Sequence, residues 1–239
     1  MRRLRDSRIL EIGCGTGSST VALAEQGAQV TGVDIDQDSL EVAKDRCSVY
    51  GVQADFHAVY ATAIAEAFGG KGYDSIIFFF ASLEHMTIAE RLLALKAAWG
   101  MLPTGGLLAV VETPNRLWFF DGHTSWLPFF HWLPNDLAFH YSSFSPRENF
   151  RDLYRGYDAT TEEHFLRRGR GVSFHEFDLA IRPVTDLKVV SSLSTFQRAR
   201  YKLQRSVAER RYKSMLRRIC PHIHEGFVDD NLYVIIEKD

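Results

Sequence analysis

The residues Arg8-Ile9-Leu10-Glu11-Ile12-Gly13-Cys14-Gly15-Thr16-Gly17 set the architecture of this chain. They read as a short apolar strand running into a glycine-rich turn, with an acid two places before the first glycine. Glycines let a backbone turn tightly and come close to a ligand. From Ser18 to Gln26 a helix signal follows, stopped by Gly27. Gln29-Val30-Thr31-Gly32-Val33 reads as a second strand and ends on Asp34. That aspartate lies about 20 residues beyond the first glycine, where a strand-helix-strand unit places an acid to bind a ribose diol. The pattern predicts a nucleoside-binding half of a doubly wound sheet.

The spacing narrows the ligand. Dinucleotide folds favour G-x-G-x-x-G, with a pyrophosphate on the helix N-terminus. Here the spacing is G-x-G-x-G, preceded by Glu11. In this the chain resembles the class I S-adenosylmethionine-dependent methyltransferases, whose signature after the first strand is E/D-x-G-x-G-x-G. Their cofactor has no phosphates but carries a methionine ammonium, beside which an acid makes electrostatic sense. The pattern and the resemblance together predict S-adenosyl-L-methionine at Glu11, Gly13, Gly15, Gly17 and Asp34, with Ile35 also among the binding residues.

The alternation of strand and helix continues. Asp38-x-x-Glu41 is a capping pattern that starts a second helix. Ala54 to Val59 and Tyr73 to Phe80 are third and fourth strands, the latter apolar on both faces as a central parallel strand should be. A helix from Ile88 to Trp99 ends at Gly100, and Leu107 to Glu112 is a fifth strand. Leu187 to Ser191 and Leu232 to Glu237 are the sixth and seventh. The expected fold is α/β, a doubly wound, seven-stranded, mostly parallel sheet, with strand seven antiparallel beside strand six by resemblance. The resemblance also rests on Tyr73-Asp74, Leu83-Glu84-His85 and Pro103-Thr104-Gly105-Gly106. It implies Tyr60 and Ala61 beside the adenine, and Phe79 and Phe80 beside the methionine moiety.

The expected organisation is a cofactor-binding core over residues 1–112, an aromatic-rich insertion after strand five over 113–182, and the last two strands over 183–239. A connection as long as 113–182 should have structure of its own. It interleaves aromatics, prolines and histidines, as in Trp118-Phe119-Phe120-Asp121-Gly122-His123 and Phe129-Phe130-His131-Trp132-Leu133-Pro134. Such residues can pack a loop onto the sheet. They can also form an acceptor pocket, because the insertion leaves strand five at the carboxyl edge, where open α/β sheets bind ligands. Many relatives cover the substrate with an N-terminal helical segment; this chain begins almost at strand one, so the insertion is the expected lid. Its T-P-N-R…D-x-H…P-F-x-H-W-L-P pattern resembles methyltransferases of polysaccharide and natural-product pathways.

Methyl transfer to a hydroxyl needs alignment and removal of a proton, and histidine can accept one near neutral pH. His123 is the preferred base, with Asp121 or Glu112 orienting its ring; His131 and His85 are the alternatives. Asp121, His123 and Glu112 could instead bind a divalent ion, but the spacing is no recognised metal motif, and the expected reaction is metal-independent O-methylation. Methylation of nucleobase amino groups is disfavoured, because the N/D-P-P-Y/F sequence that accompanies it is replaced by Phe79-Phe80-Ala81-Ser82-Leu83. Two other functions remain open: a cofactor-binding protein without transferase activity, and a dinucleotide-dependent oxidoreductase.

With 239 residues, 46% of them hydrophobic, the chain can bury a substantial core. A net charge of −2 does not suggest nucleic acid as a partner; a small molecule, such as a sugar or natural-product intermediate, is the expected acceptor. Cys14, Cys47 and Cys220 are dispersed, as in a reduced cytoplasmic protein. Thr195 to Ile219 reads as one arginine-rich helix, either a solvated face or a peripheral membrane contact.

Overall fold

The computed structural model describes residues 4–78, 82–152, 158–192 and 207–239. Strands β1 (Arg8–Ile12), β2 (Gln29–Asp34), β3 (Asp55–Ala58), β4 (Ser75–Phe78), β5 (Leu107–Pro114), β6 (Lys188–Ser192) and β7 (Asn231–Glu237) form one sheet in the order β3-β2-β1-β4-β5-β7-β6. All pairs are parallel except those of β7, which runs antiparallel to both β5 and β6. The order reverses between β1 and β4, which places a ligand crevice beyond the carboxyl ends of these strands.

Helices α1 (Ser18–Glu25), α2 (Gln37–Tyr50), α3 (Ile64–Phe68) and α4 (Ile88–Met101) connect the parallel strands. Both faces of the sheet are covered. Leu10, Ile12, Ile76, Phe78, Leu108 and Val110 belong to one apolar cluster, and Ile9, Val30, Ile77 and Ala109 to another. That two-sided burial is why β4 reads as a continuous apolar run.

Two helix boundaries differ from the sequence reading. Helix α2 is capped by Asp36, not Asp38: the Asp36 carboxylate accepts the Asp38 amide at 3.2 Å and the Ser39 hydroxyl at 2.6 Å. Helix α4 does not stop at Gly100. Its N-terminus is a capping box between Thr87 and Glu90, and its C-terminal carbonyls at Trp99 and Leu102 accept from Lys238 Nζ at 2.7 and 2.6 Å. A distant lysine thus satisfies groups that a glycine terminus would otherwise satisfy locally. The extended Leu102, preceding Pro103, then ends the helix.

Between β5 and β6 lie α5 (Asn135–Tyr141), α6 (Glu148–Arg151), α7 (Ala159–Leu166) and α8 (Phe174–Ala180). Ser145 does not cap α6. It donates to the Ser125 carbonyl and accepts the Arg147 amide, and the helix starts at Glu148. A Ser173–Glu176 capping box opens α8. Leu127, Phe130, Phe139, Phe150 and Phe165 form a separate apolar cluster within this segment. Arg91 of α4, only 1% exposed, ties the segment to the core. Its guanidinium donates to the carbonyls of Met86, Glu84, Arg170 and Gly171 and to the Glu176 carboxylate.

Of the arginine-rich stretch, residues 207–219 are described, as helix α9 (Val207–Ile219); residues 193–206 lie outside the described residues. Its inner face buries Leu216 and Lys213, and Lys213 pairs with the buried Asp229. Removing one member of a buried pair leaves an uncompensated charge. Asp229→Ala should therefore lower unfolding stability by about 3–5 kcal/mol in denaturant titration. A change below ~1 kcal/mol would show that the pair is solvated. Among the described residues, no helix is long and apolar enough to cross a membrane.

Candidate active site

The glycine turn is built by the residues around it. Gly13 and Gly17 have φ of 75° and 74°, a conformation that suits glycine. A β-carbon on Gly13 would lie 2.5 Å from Ser82 Cβ, and one on Gly17 would lie 2.8 Å from Ala43 Cβ. The Gly13 amide donates to the Val33 carbonyl at 2.8 Å, and the Gly15 amide to Asp34 Oδ2 at 2.8 Å. Asp34 thus pins the turn across β1 and β2.

A cleft of about 320 Å³ opens above this turn. Gly13, Gly15, Asp34, Ile35, Tyr60 and Ala61 all line it, at the carboxyl ends of β1, β2 and β3. Gly15 differs from its neighbours: a β-carbon there would meet nothing within 4 Å, because it would project into open space. Glu11 and Gly17 do not line the cleft. Glu11 is fully buried behind the turn, where its carboxylate accepts from Ser19 and Thr20 of α1. Burial raises its pKa, opposed by those two hydroxyls. Phe79 and Phe80 lie outside the described residues.

The sequence reading did not assign cleft positions to Ser82, His85, Met86, Glu90 or Arg167. Arg167 follows α7 and reaches back across the mouth, where it pairs with Glu90 at 3.0 Å. Its carbonyl lies 2.6 Å from His85 Nδ1.

A second cavity, of about 410 Å³, adjoins the end of β5. Trp118, Phe120, Asp121, His123 and His131 from the β5–β6 segment line it, together with Glu112. Three non-glycine residues near this region have positive φ: Glu112 at 57°, Trp126 at 56° and Phe129 at 58°. Such backbone is held in place only by surrounding structure. Asn115 supplies part of that support. Its Nδ2 donates to the carbonyls of Phe227 and Asp229, both at 2.8 Å, and its Oδ1 accepts the Leu117 amide.

Asp121 organises the next turn. One carboxylate oxygen accepts the His123 and Thr124 amides, each at 2.9 Å; the other accepts the amide and hydroxyl of Ser125, each at 2.7 Å. His131 Nε2 lies 3.2 Å from Asp121 Oδ1, and His131 Nδ1 accepts the Gly171 amide at 3.1 Å. Burial would raise the Asp121 pKa, but His131 and the turn amides overcome it and hold the carboxyl well below its usual range. Asp121 therefore grips the backbone of His123 and the ring of His131, not the ring of His123. Glu112 does not hold that ring either: it lies beside Tyr233, whose phenol pKa is raised by burial and then by the Glu112 charge.

The acid facing the His123 ring is Glu84. His123 Nε2 lies 3.7 Å from Glu84 Oε1, and the His123 and His85 ring centroids are 6.0 Å apart. Burial pushes the Glu84 carboxyl up to about 8, against its own amide and the Arg91 charge. Burial and the neighbouring His85 lower the His123 pKa. His85 lines the cleft and His123 lines the cavity, so the two spaces approach each other at these two rings.

Residues 9–106 match the family model described as a methyltransferase domain. The ubiquinone biosynthesis O-methyltransferase of Bartonella quintana (strain Toulouse) is 39% identical over 112 residues, 46% of this chain and 42% of that protein. Over these residues the chain is similar to S-adenosylmethionine-dependent methyltransferases. The protein of the same description from Sinorhizobium fredii (strain NBRC 101917 / NGR234) is 34% identical over 113 residues, 47% of this chain and 43% of that one. The chain thus matches less than half the length of these curated relatives. Among solved structures, an S-adenosylmethionine-dependent methyltransferase from Clostridium acetobutylicum ATCC 824 aligns at 18% identity. Its TM-score is 0.44, over 49% of this chain and 47% of that one. The cofactor of the family is S-adenosyl-L-methionine.

A larger groove of about 710 Å³ runs past Arg8, Gln29 and Asp55, the first residues of β1, β2 and β3. It lies at the amino end of the sheet, opposite to where this fold binds ligands. The 320 Å³ cleft, at the carboxyl end, is the cofactor candidate. Asp34→Ala would remove both the clamp on the Gly15 amide and a charged acceptor for a ribose hydroxyl. It should weaken S-adenosylhomocysteine binding by about 1.5–3 kcal/mol, roughly 10–150-fold in Kd. Unchanged affinity by calorimetry would remove Asp34 from the site.

Proposed function

We propose that the protein transfers the methyl group of S-adenosylmethionine to a hydroxyl of a small-molecule acceptor. The observation supporting this reading is the junction formed by His85, which lines the cleft, and His123, which lines the cavity, with ring centroids 6.0 Å apart and Glu84 beside His123. Displacement at the methyl carbon needs the acceptor oxygen, the carbon and the sulfur in line. A cofactor in the 320 Å³ cleft and an acceptor in the 410 Å³ cavity would meet across that junction. The acceptor hydroxyl must lose a proton there, and His123 is the group on the acceptor side. Asp121 and His131 are positioning residues, which hold the turn that carries His123.

The assignment of a hydroxyl acceptor follows the O-methyltransferase description of the curated relatives. The cavity adds a shape complement: Trp118 and Phe120 offer aromatic faces to a sugar or planar ring. The β5–β6 segment forms the acceptor pocket and its cover. The strained backbone at Glu112, Trp126 and Phe129 supports a functional role there.

Trp118 and Trp132 of this segment are placed differently. Trp118 is buried and lines the cavity, whereas Trp132 is half-exposed and packs on Phe129 and Tyr212. Trp118→Ala should raise the acceptor KM by about 10-fold or more, from the loss of an aromatic wall. Trp132→Ala should have a smaller effect, and both should keep the parent affinity for S-adenosylhomocysteine. Loss of cofactor binding with acceptor KM unchanged would refute this division of roles.

A further inference from the structure

We propose that Glu84, His85 and His123 form a binding site for a divalent transition-metal ion of the zinc class. The site's catalytic use rests on the methyl-transfer reading above; its existence does not. One ligand atom from each of the three residues lies within 4.8 Å of the other two. Zinc bonds of about 2.0–2.2 Å ask for donors roughly 3.3 Å apart in a tetrahedral site. The Glu84–His123 pair at 3.7 Å is already close to that, and His85 has a ligand atom within 4.8 Å of both.

Three independent features of these side chains point the same way. Glu84 is fully buried, and neither carboxylate oxygen has a hydrogen-bond partner among the described residues. An orphaned buried carboxylate is costly without a compensating partner. Arg91 does not supply one: it donates to the backbone carbonyl of Glu84, and its ion pair is with Glu176 at 3.3 Å.

The second and third features are the histidine tautomers. His85 Nδ1 lies 2.6 Å from the Arg167 carbonyl, which can only accept. Nδ1 therefore carries the proton and Nε2 the lone pair. The single Thr124 hydroxyl proton is drawn to the Gly169 carbonyl at 3.0 Å, with the Arg168 carbonyl at 3.2 Å, which leaves the hydroxyl oxygen to accept from His123 Nδ1 at 3.0 Å. His123 Nδ1 is then protonated, and its Nε2 lone pair faces the Glu84 carboxylate. Lone pairs brought together in this way call for a cation between them. A histidine that donates its other N–H to a backbone or side-chain oxygen is the usual arrangement at a metal site.

Two imidazoles and a carboxylate select zinc, iron(II), cobalt or nickel over magnesium or calcium, which prefer all-oxygen shells. Three protein ligands leave one position of a tetrahedral site open. At this junction, an acceptor hydroxyl in that position would lose its proton more readily. His123 lies outside the residues that match the family model, so the ion would also bind the β5–β6 segment to the core. This set differs from the Asp121, His123 and Glu112 grouping suggested by proximity in sequence, because Asp121 is engaged by its own turn and by His131.

The test uses the full, untagged chain, stripped with chelator and titrated with zinc chloride by calorimetry, with metal content measured by mass spectrometry. One zinc per chain is expected, and Glu84→Gln and His123→Gln should each weaken binding at least 10-fold. The zinc-free variants should keep the parent circular dichroism and S-adenosylhomocysteine affinity, which separates ligand loss from misfolding. Cobalt(II) should give a ligand-field spectrum that His123→Gln alters, and excess magnesium chloride should not displace zinc. No zinc retained by the parent at micromolar concentration would overturn the proposal, leaving a proton shared between Glu84 and His123. Zinc retained equally by both variants would also overturn it. Zinc bound at these residues without methyl transfer to any acceptor would support the site while refuting the catalytic reading.

Discussion

His123→Ala should lower turnover by about 10²–10⁴-fold while S-adenosylhomocysteine binds as tightly as it does to the parent. The separation follows from geometry. His123 lines the acceptor cavity and not the cofactor cleft. The substitution should also spare the local fold, because Asp121 accepts the backbone amide at this position, which alanine keeps. The loss should appear in kcat more than in acceptor KM, since the contact matters most as the hydroxyl gives up its proton. Single-turnover rates with saturating cofactor would measure it. Normal turnover in His123→Ala would transfer the role to His85. His131 is a poor substitute, being 2% exposed, with Nδ1 bonded to Gly171 and Nε2 facing Asp121.

Gly13→Val should abolish measurable cofactor binding. The position has a φ of 75°, which costs a residue with a side chain about 1–2 kcal/mol, and a β-branched one more. The added Cβ would also lie 2.5 Å from Ser82 Cβ, an atom fixed to its backbone. Relief requires the turn or the chain after β4 to move, and Gly13 and Ser82 both line the cleft. Strain and overpacking together amount to about 2–5 kcal/mol, enough for a 100-fold loss of affinity. Gly100→Ala is the control: φ is not positive there, and nothing lies within 4 Å of the added carbon. Equal S-adenosylhomocysteine affinity in Gly13→Val and the parent would show that the turn is more plastic than its geometry implies.

The cofactor half was legible because local chemistry specifies it. Gly13 and Gly17 need their φ, Gly27 terminates α1, and the run Ser75–Phe78 is apolar because it is covered on both sides. Asp34 was readable from its distance to the turn as an acid for a ribose; its hold on the Gly15 amide was not. Glu11 shows the limit of motif reading: its acid was visible, but its burial against Ser19 and Thr20 was not.

The second half was less legible because long-range contacts decide it. Glu84 stood in plain view within Leu83-Glu84-His85. Its burial depends on Arg91, which joins it to Arg170, Gly171 and Glu176, some 80 residues away in sequence. The pairing of Asp121 with His131, and not with the His123 ring, depends likewise on Gly171. The run past Gly100 in α4 depends on Lys238 near the other end of the chain. In each case nearness in sequence was an unreliable guide to the partner.

The most direct test of the central claim is transfer of an isotopically labelled methyl group. The protein would be incubated with methyl-deuterated S-adenosylmethionine and fractionated small-molecule extract, and products followed by mass spectrometry. The expected result is a labelled methyl ether that forms with the parent, falls by at least 100-fold with His123→Ala, and is accompanied by S-adenosylhomocysteine in equal amount. Binding of the cofactor in the Asp34-dependent cleft, with no labelled product in any fraction, would contradict the claim and make this a cofactor-binding protein without transferase activity.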